Sequence, residues 1–275
     1  MLPAILVLVV SSSVAQAPSL PGDKIEAARA TEAAAVAKKA AEAYKVTTGE
    51  AGGNALQLEP KSLLSWSNPV AGSFHGSVFI WTAKGRPEVV ASIYKKYVPL
   101  PLHLGIEFHS LIEGPATAER DGHAEWSPAR GGVKFQPVPG APAPTDTPAR
   151  RLRQMRAIAA EFSATKTDRN AIGRPLRLLT QPVYRYEITD NCGALFAFVE
   201  GTDPEVFLLI EVRKGEKGPA WHYALARMNS VEFHVAHRGH EIWSASVIPW
   251  TQARNPREPY ALLIFRPGEG VNPPE

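Results

Sequence analysis

The second half of the chain alternates between short runs rich in aromatic and branched residues and breaks made of Gly, Pro and Asn. Such runs, bounded by turn formers, predict β-strands; they fall at 183–188, 194–199, 205–212, 221–228, 231–236 and 241–248. Residues 195–199 and 206–210 are apolar at successive positions, so both faces of that hairpin must be covered. Helical spacing appears in two places. Residues 24–45 hold ten alanines and no Gly or Pro, a composition of high helix propensity, with Asp23 and Glu26 spaced as a capping box. From Pro148, suited to a first helical turn, to about Ala164, Leu152, Met155, Ala159 and Phe162 recur on one face.

The same order of patterns occurs twice. Residues 76–93 align without a gap to 193–210, and Gly122-His-Ala-Glu-Trp-Ser127 falls on Gly239-His-Glu-Ile-Trp-Ser244 at the same offset of 117. Over 76–127 against 193–244, ten of 52 positions are identical and all share one register, which predicts an internal duplication. The expected class is α+β, each unit a helix followed by an antiparallel β-meander, cystatin-like or half-barrel-like in its curved sheet. The expected organisation is a first unit at 23–127, a Pro-rich extended linker at 128–147, a second unit at 148–265 and a tail at 266–275.

The first residues change the picture of the compartment. Residues 2–10 form an apolar run followed by Ser11, Ser12, Ser13 and the small-x-small sequence Ala15-Gln16-Ala17, the layout of a signal peptide over 1–17, cut after Ala15 or Ala17. The run is too short to span a bilayer and no other stretch is longer and as apolar, so no transmembrane segment is expected in the mature chain. Export predicts a periplasmic or extracellular protein. Cys192 is the sole cysteine, so no disulfide forms within the chain, and Asp190-Asn191-Cys192-Gly193 reads as a turn. Thirty basic against 27 acidic side chains leave +3, which with export argues against nucleic acid as a partner.

Candidate chemistry is sparse. His123 and His240 occupy equal positions in the two units, each three residues before Trp. His234, His237 and His240 lack the one-face spacing of a metal site, so no metal or other cofactor is expected. Glu88 and Glu205 are equivalent in Pro-Glu-Val segments and read as solvated charges at strand edges; as a pair they would suit a glycosidase only if brought close together. No nucleophile elbow, phosphate loop or dinucleotide fingerprint occurs. Trp126 and Trp243 match between the units and read as core. Trp66 and Trp250 lack aromatic counterparts, which makes them, with His123 and His240, the candidate ligand-binding residues.

Several blocks carry a resemblance: Trp66-Ser-Asn-Pro69, Trp81-Thr82 with Gly85-Arg-Pro-Glu88, Arg153-Gln-Met-Arg156 with Glu161-Phe162, Tyr184-Arg-Tyr186, and 193–205. Together they resemble a group of uncharacterised exported proteins from planctomycete bacteria, over most of the chain after residue 55. The resemblance implies export and an envelope setting, and neither activity nor site residues. A helix ending Ala160-Glu-Phe-Ser163 before a Tyr-Arg-Tyr strand is also similar to the lipoprotein-carrier half-barrel proteins. The expected function is an exported, non-enzymatic binding or structural-interaction protein whose partner is an unknown small molecule, a lipid or an envelope protein. The alternatives are a hydrolase with its site between the units, using His123/His240 or Glu88/Glu205, and a carrier of an acyl chain.

Overall fold

The structure, a computed structural model, describes residues 21–49, 53–68, 72–97, 103–167, 172–188, 191–215 and 218–265. The expected signal peptide at 1–17 and the tail at 266–275 lie outside the described residues. Helix α1 (Pro21–Glu42) is followed by β1 (Lys45–Thr48), β2 (Asn54–Ala55), β3 (Gln57–Leu58), β4 (Leu64–Ser67), β5 (Phe74–Ala83), β6 (Arg86–Lys96), β7 (His103–Ser110), β8 (Ala116–Arg120) and β9 (His123–Trp126). A short strand β10 (Gln136–Pro137) precedes helix α2 (Pro148–Ala159). Then come β11 (Phe162–Thr167), β12 (Gly173–Leu178), β13 (Tyr184–Ile188), β14 (Asn191–Glu200), β15 (Asp203–Gly215), β16 (Gly218–Arg227), β17 (Glu232–His237) and β18 (His240–Ala245). A four-residue helix α3 (Trp250–Ala253) leads to β19 (Tyr260–Phe265).

The molecule is α+β, and its antiparallel sheet curls as a half-barrel. Strands β3, β5, β6, β7 and β19 form one sheet with β4 also on β5; a nine-stranded sheet is built around β14, β15 and β16; β2, β1, β8 and β9 make a third. Alternation along the central strands sorts their side chains into three cores. On β5, Phe79 and Trp81 join the core under α1, while Val78 and Ile80 point the other way. On β14, Phe196 and Phe198 join the core under α2, and Leu195, Ala197 and Val199 join Val78 and Ile80. The hairpin that is apolar on both faces is thus covered by α2 on one side and by the other half's sheet on the other. Val36, Ala37, Ala40 and Ala41 present one stripe of α1 to its sheet; Met155, Ile158 and Ala159 do the same for α2.

The segments that follow each meander exchange sides. Residues after β9 cross to the second sheet, where β10 pairs with β16 (Gln136 opposite Tyr223). Residues after β18 return to the first sheet, where β19 pairs with β7 (Tyr260 opposite His109). Each crossing covers a sheet edge that would otherwise offer unpaired N–H and C=O groups. The stretch at 128–147 is therefore packed rather than a free connection, with Val133 and Val138 buried.

Three local readings are corrected. Helix α1 begins at Pro21, so Asp23 lies inside its first turn instead of capping it. Helix α2 ends at Ala159, and Phe162 opens a strand paired on both sides, to β12 and β17, whose ladders outweigh the helical spacing. Asn191 and Cys192 begin β14, and Cys192 is buried in the α2 core.

Candidate functional site

The site is a cavity of about 410 Å³ between the two halves. Its aromatic wall comes from three neighbouring strands. Trp66 on β4 lies across Gly76 on β5, so closely that a Cβ there would come within 2.4 Å of the indole. Tyr94 on β6 lies in the same way across Gly105 on β7. Both glycines are there because a ring passes over the backbone. The Trp66 indole N–H donates to Ser92 Oγ at 3.0 Å, and Tyr94 packs against Trp66 and Phe74 with ring centroids 5.7 and 5.8 Å apart. At the mouth, Trp250 opens α3 with 54% of its surface exposed.

Two carboxyls, one from each half, complete the wall. Alternation along β7 sends Leu104, Ile106 and Phe108 to the α1 core and leaves Gly105, Glu107 and His109 on the inner face. Glu107 Oε1 accepts a 2.7 Å hydrogen bond from the Tyr260 hydroxyl. Burial pushes the Glu107 carboxyl far above its usual range; the Tyr260 bond opposes that shift, and the charges of Asp203 and Glu205 add to it. Asp203 opens β15 directly after the turn from β14, and Asn68 Nδ2 donates to its Oδ2 at 3.0 Å. Asp203 is raised to about 7, by burial first and by the neighbouring Glu205 second, with Asn68 and Lys166 pulling it back. Both carboxyls of the cavity are thus shifted towards the protonated form, and Asp203 still carries part of its proton at neutral pH.

The basic groups nearby are already engaged. Lys166 donates to Glu205 at 2.5 Å and to Glu200, so Glu205, 1% exposed, is a buried ion-pair partner rather than a solvated strand-edge charge. Arg227 donates to the carbonyls of Asn229, Ser246 and Val231, tying together the two segments that frame the cavity; burial draws it down to about 10. His109 is held down to about 4 by burial, so its Nδ1 carries the neutral ring's proton and donates to Ser110 O at 2.8 Å. A clasp closes one side: Ser67 N donates to Thr202 Oγ1, and that hydroxyl donates to Ser67 O, both at 3.0 Å.

The opposite end of β5 and β6 is closed by side chains. Arg86 donates through Nε to Glu211 Oε2 at 3.0 Å and through Nη1 to Glu88 Oε1 at 2.9 Å, and the Tyr186 hydroxyl donates to Glu211. Phe135 lies under the guanidinium groups of Arg86 and Arg213, at 5.4 and 3.9 Å. Burial raises the Glu88 carboxyl against the pull of Arg86. Glu88 and Glu205 therefore belong to separate clusters.

Of the four candidate residues, Trp66 and Trp250 line the cavity together. His123 and His240 do not; each is the exposed first residue of a strand, after a two-residue turn with positive φ at Asp121-Gly122 and Arg238-Gly239. Among the described residues, no group of three or more His, Cys, Asp or Glu is placed to hold a metal ion. Sequence reasoning passed over Glu107, Asp203, Tyr94 and Asn68. A signal existed: at the offset of 117, Glu107 faces Ala224, Asp203 faces Arg86 and Tyr94 faces Glu211, three places where the aligned halves differ in charge. No protein-family model, curated protein or solved structure matches the chain.

Proposed function

We propose that the chain is an exported, non-enzymatic binding protein of the bacterial envelope, built from two copies of one helix-plus-sheet unit, with the cavity between them as its ligand site. The duplication draws support from element positions: α1 and α2 end at Glu42 and Ala159, and β1 and β11, β5 and β14, β6 and β15, β9 and β18 all start 117 residues apart. The observation that carries the binding reading is the cavity itself: about 410 Å³, aromatic on one wall, with convergent polar groups on the other. Concave apolar sites with a few placed polar groups are the usual form of small-molecule sites. The equivalent end of the molecule is filled by the Arg86, Glu88 and Glu211 cluster. In this reading one of two ancestral sites stayed open and the other became a structural joint.

The lining bears on the alternatives. Asn68, Glu107, Thr167, Asp203, Asn229 and Ser230 all line the cavity, and an acyl chain would cover these polar groups without offering any of them a hydrogen bond. This weighs against acyl-chain carriage. The hydrolase reading keeps one support, the protonated Asp203 beside Glu107, which has the pKa of a general acid near neutrality.

A small aromatic-compound library screened by ligand-observed NMR tests the proposal. Compounds should bind the wild type and lose at least about tenfold in affinity in Ser230→Trp, which fills the cavity. Compounds that bind both proteins equally, or none binding at all, would overturn the site. Hits that remain chemically intact after prolonged incubation support binding over hydrolysis.

A further inference from the structure

The charges around the cavity are unbalanced in one direction. Its wall carries Glu107 and Asp203 and no lysine, arginine or histidine among the described residues. Behind the wall Glu205 and Glu200 add further negative charge, against which stand Lys166, hydrogen-bonded to both, and the half-exposed Arg174, 3.9 Å from Glu200. Arg227 lies beyond Tyr260 with its guanidinium taken up by three backbone carbonyls, and His109 is neutral. Lys96 is held over the Phe74 ring at 5.2 Å. Among the described residues, the remaining ionisable groups facing the two carboxyls are the neutral phenols Tyr94 and Tyr260. A carboxyl enclosed without a cation stays protonated, and the species that would let both ionise is a positively charged ligand.

The aromatic wall points to the same chemistry. Trp66, Phe74 and Tyr94 present ring faces and edges around one volume, with Trp250 at its mouth, and a cation within about 6 Å of such a ring is attracted by its quadrupole. Resting on the binding reading above, we propose that the ligand is an organic ammonium ion, its N–H groups donating to Glu107 and Asp203 and its apolar body lying against Trp66, Tyr94 and Trp250. A neutral ligand would satisfy the rings and leave the carboxyls as they are; an anion would add to charge of its own sign.

The sign of the pH effect follows. Asp203 is mostly protonated below pH 7, and an ammonium ion favours its ionised form, so binding at mildly acid pH must release protons to solvent. Affinity therefore rises from pH 5.5 to pH 8.

Isothermal titration with 2-phenylethylamine and with 2-phenylethanol, of nearly equal size but neutral, separates the claims. The amine should bind about tenfold or more tighter at pH 8, the gap should shrink towards pH 5.5, and paired buffers of different ionisation enthalpy should report proton release near pH 6.5. Glu107→Gln and Asp203→Asn, which remove the ionisable carboxyls of the wall, should each reduce amine binding by a larger factor than alcohol binding and flatten the pH profile of the amine. Equal affinity for amine and alcohol would overturn the ammonium proposal and leave the binding site standing. Absence of binding by both, with no change in tryptophan fluorescence, would overturn the two together. Should a variant fail to fold by circular dichroism, the pH profile and proton count of the wild type decide the matter.

Discussion

Asp203 shows how one residue's surroundings set both its chemistry and its contribution to stability. Its carboxyl titrates at about 7 in the folded chain against 3.8 as a free side chain. Between those values the native state holds more protons than the unfolded state, so stability falls as pH rises. The contribution from the protonated form is complete below about pH 4 and lost as pH passes through about 7. Asp203→Asn, which cannot ionise, should match the wild type near pH 4 and unfold at a higher temperature than it at pH 8. Calorimetric scans at the two pH values check this, and a variant less stable at pH 8 would contradict the assignment. The sequence marks Asp203 only as a residue beside a proline in a hairpin, because its pKa depends on Glu205 and on enclosure by the other half. Trp66 was legible as a large aromatic without a counterpart, and it does face the cavity.

At the scale of elements, alternation is the informative signal. Strands β13 to β18 lie close to where the pattern puts them, and the β14–β15 hairpin is apolar at successive positions because it is buried on two faces. The end of α2 was not legible: Phe162 keeps the helical spacing of Met155 and Ala159, yet pairing with β12 and β17 draws it into a strand. Strand β12 escaped notice because its hairpin partner β11 carries the helical spacing that continues α2, and β19 because its neighbour β7 is distant in sequence. Gly76 and Gly105 give the element scale its prediction. A methyl group on Gly76 would collide with the Trp66 ring, which is itself buried and hydrogen-bonded to Ser92. Gly76→Ala should cost about 1–3 kcal/mol, as overpacking does, and should shift tryptophan fluorescence. Denaturant unfolding measures the first effect; an unchanged midpoint would mean that the ring moves aside freely.

At the scale of the whole molecule, the crossing segments hold the two halves in register. Tyr260 on β19 donates to Glu107, Glu258 O accepts from the Trp126 indole at 3.0 Å, and Leu262 reaches the cavity wall. Ending the chain after Arg254 would expose the β7 edge and remove the buried side chains of Tyr260 and Leu262, each contributing about 1.5–3 kcal/mol by burial, together with the partly buried Leu263 and Phe265. The shortened protein should unfold at a markedly lower temperature and form oligomers through the bare edge, as size-exclusion chromatography and calorimetry would show. A monomer of unchanged stability would mean that β19 is dispensable. The sequence by itself determined the α+β class, the antiparallel strands and the need to cover both faces of the β14–β15 hairpin, because local periodicity dictates which way each side chain points. Only the tertiary structure decided what meets at the cavity. Glu107 and Asp203 lie 96 positions apart in the chain, and their shared environment exists only once one sheet is laid against the other and their carboxyls leave bulk water.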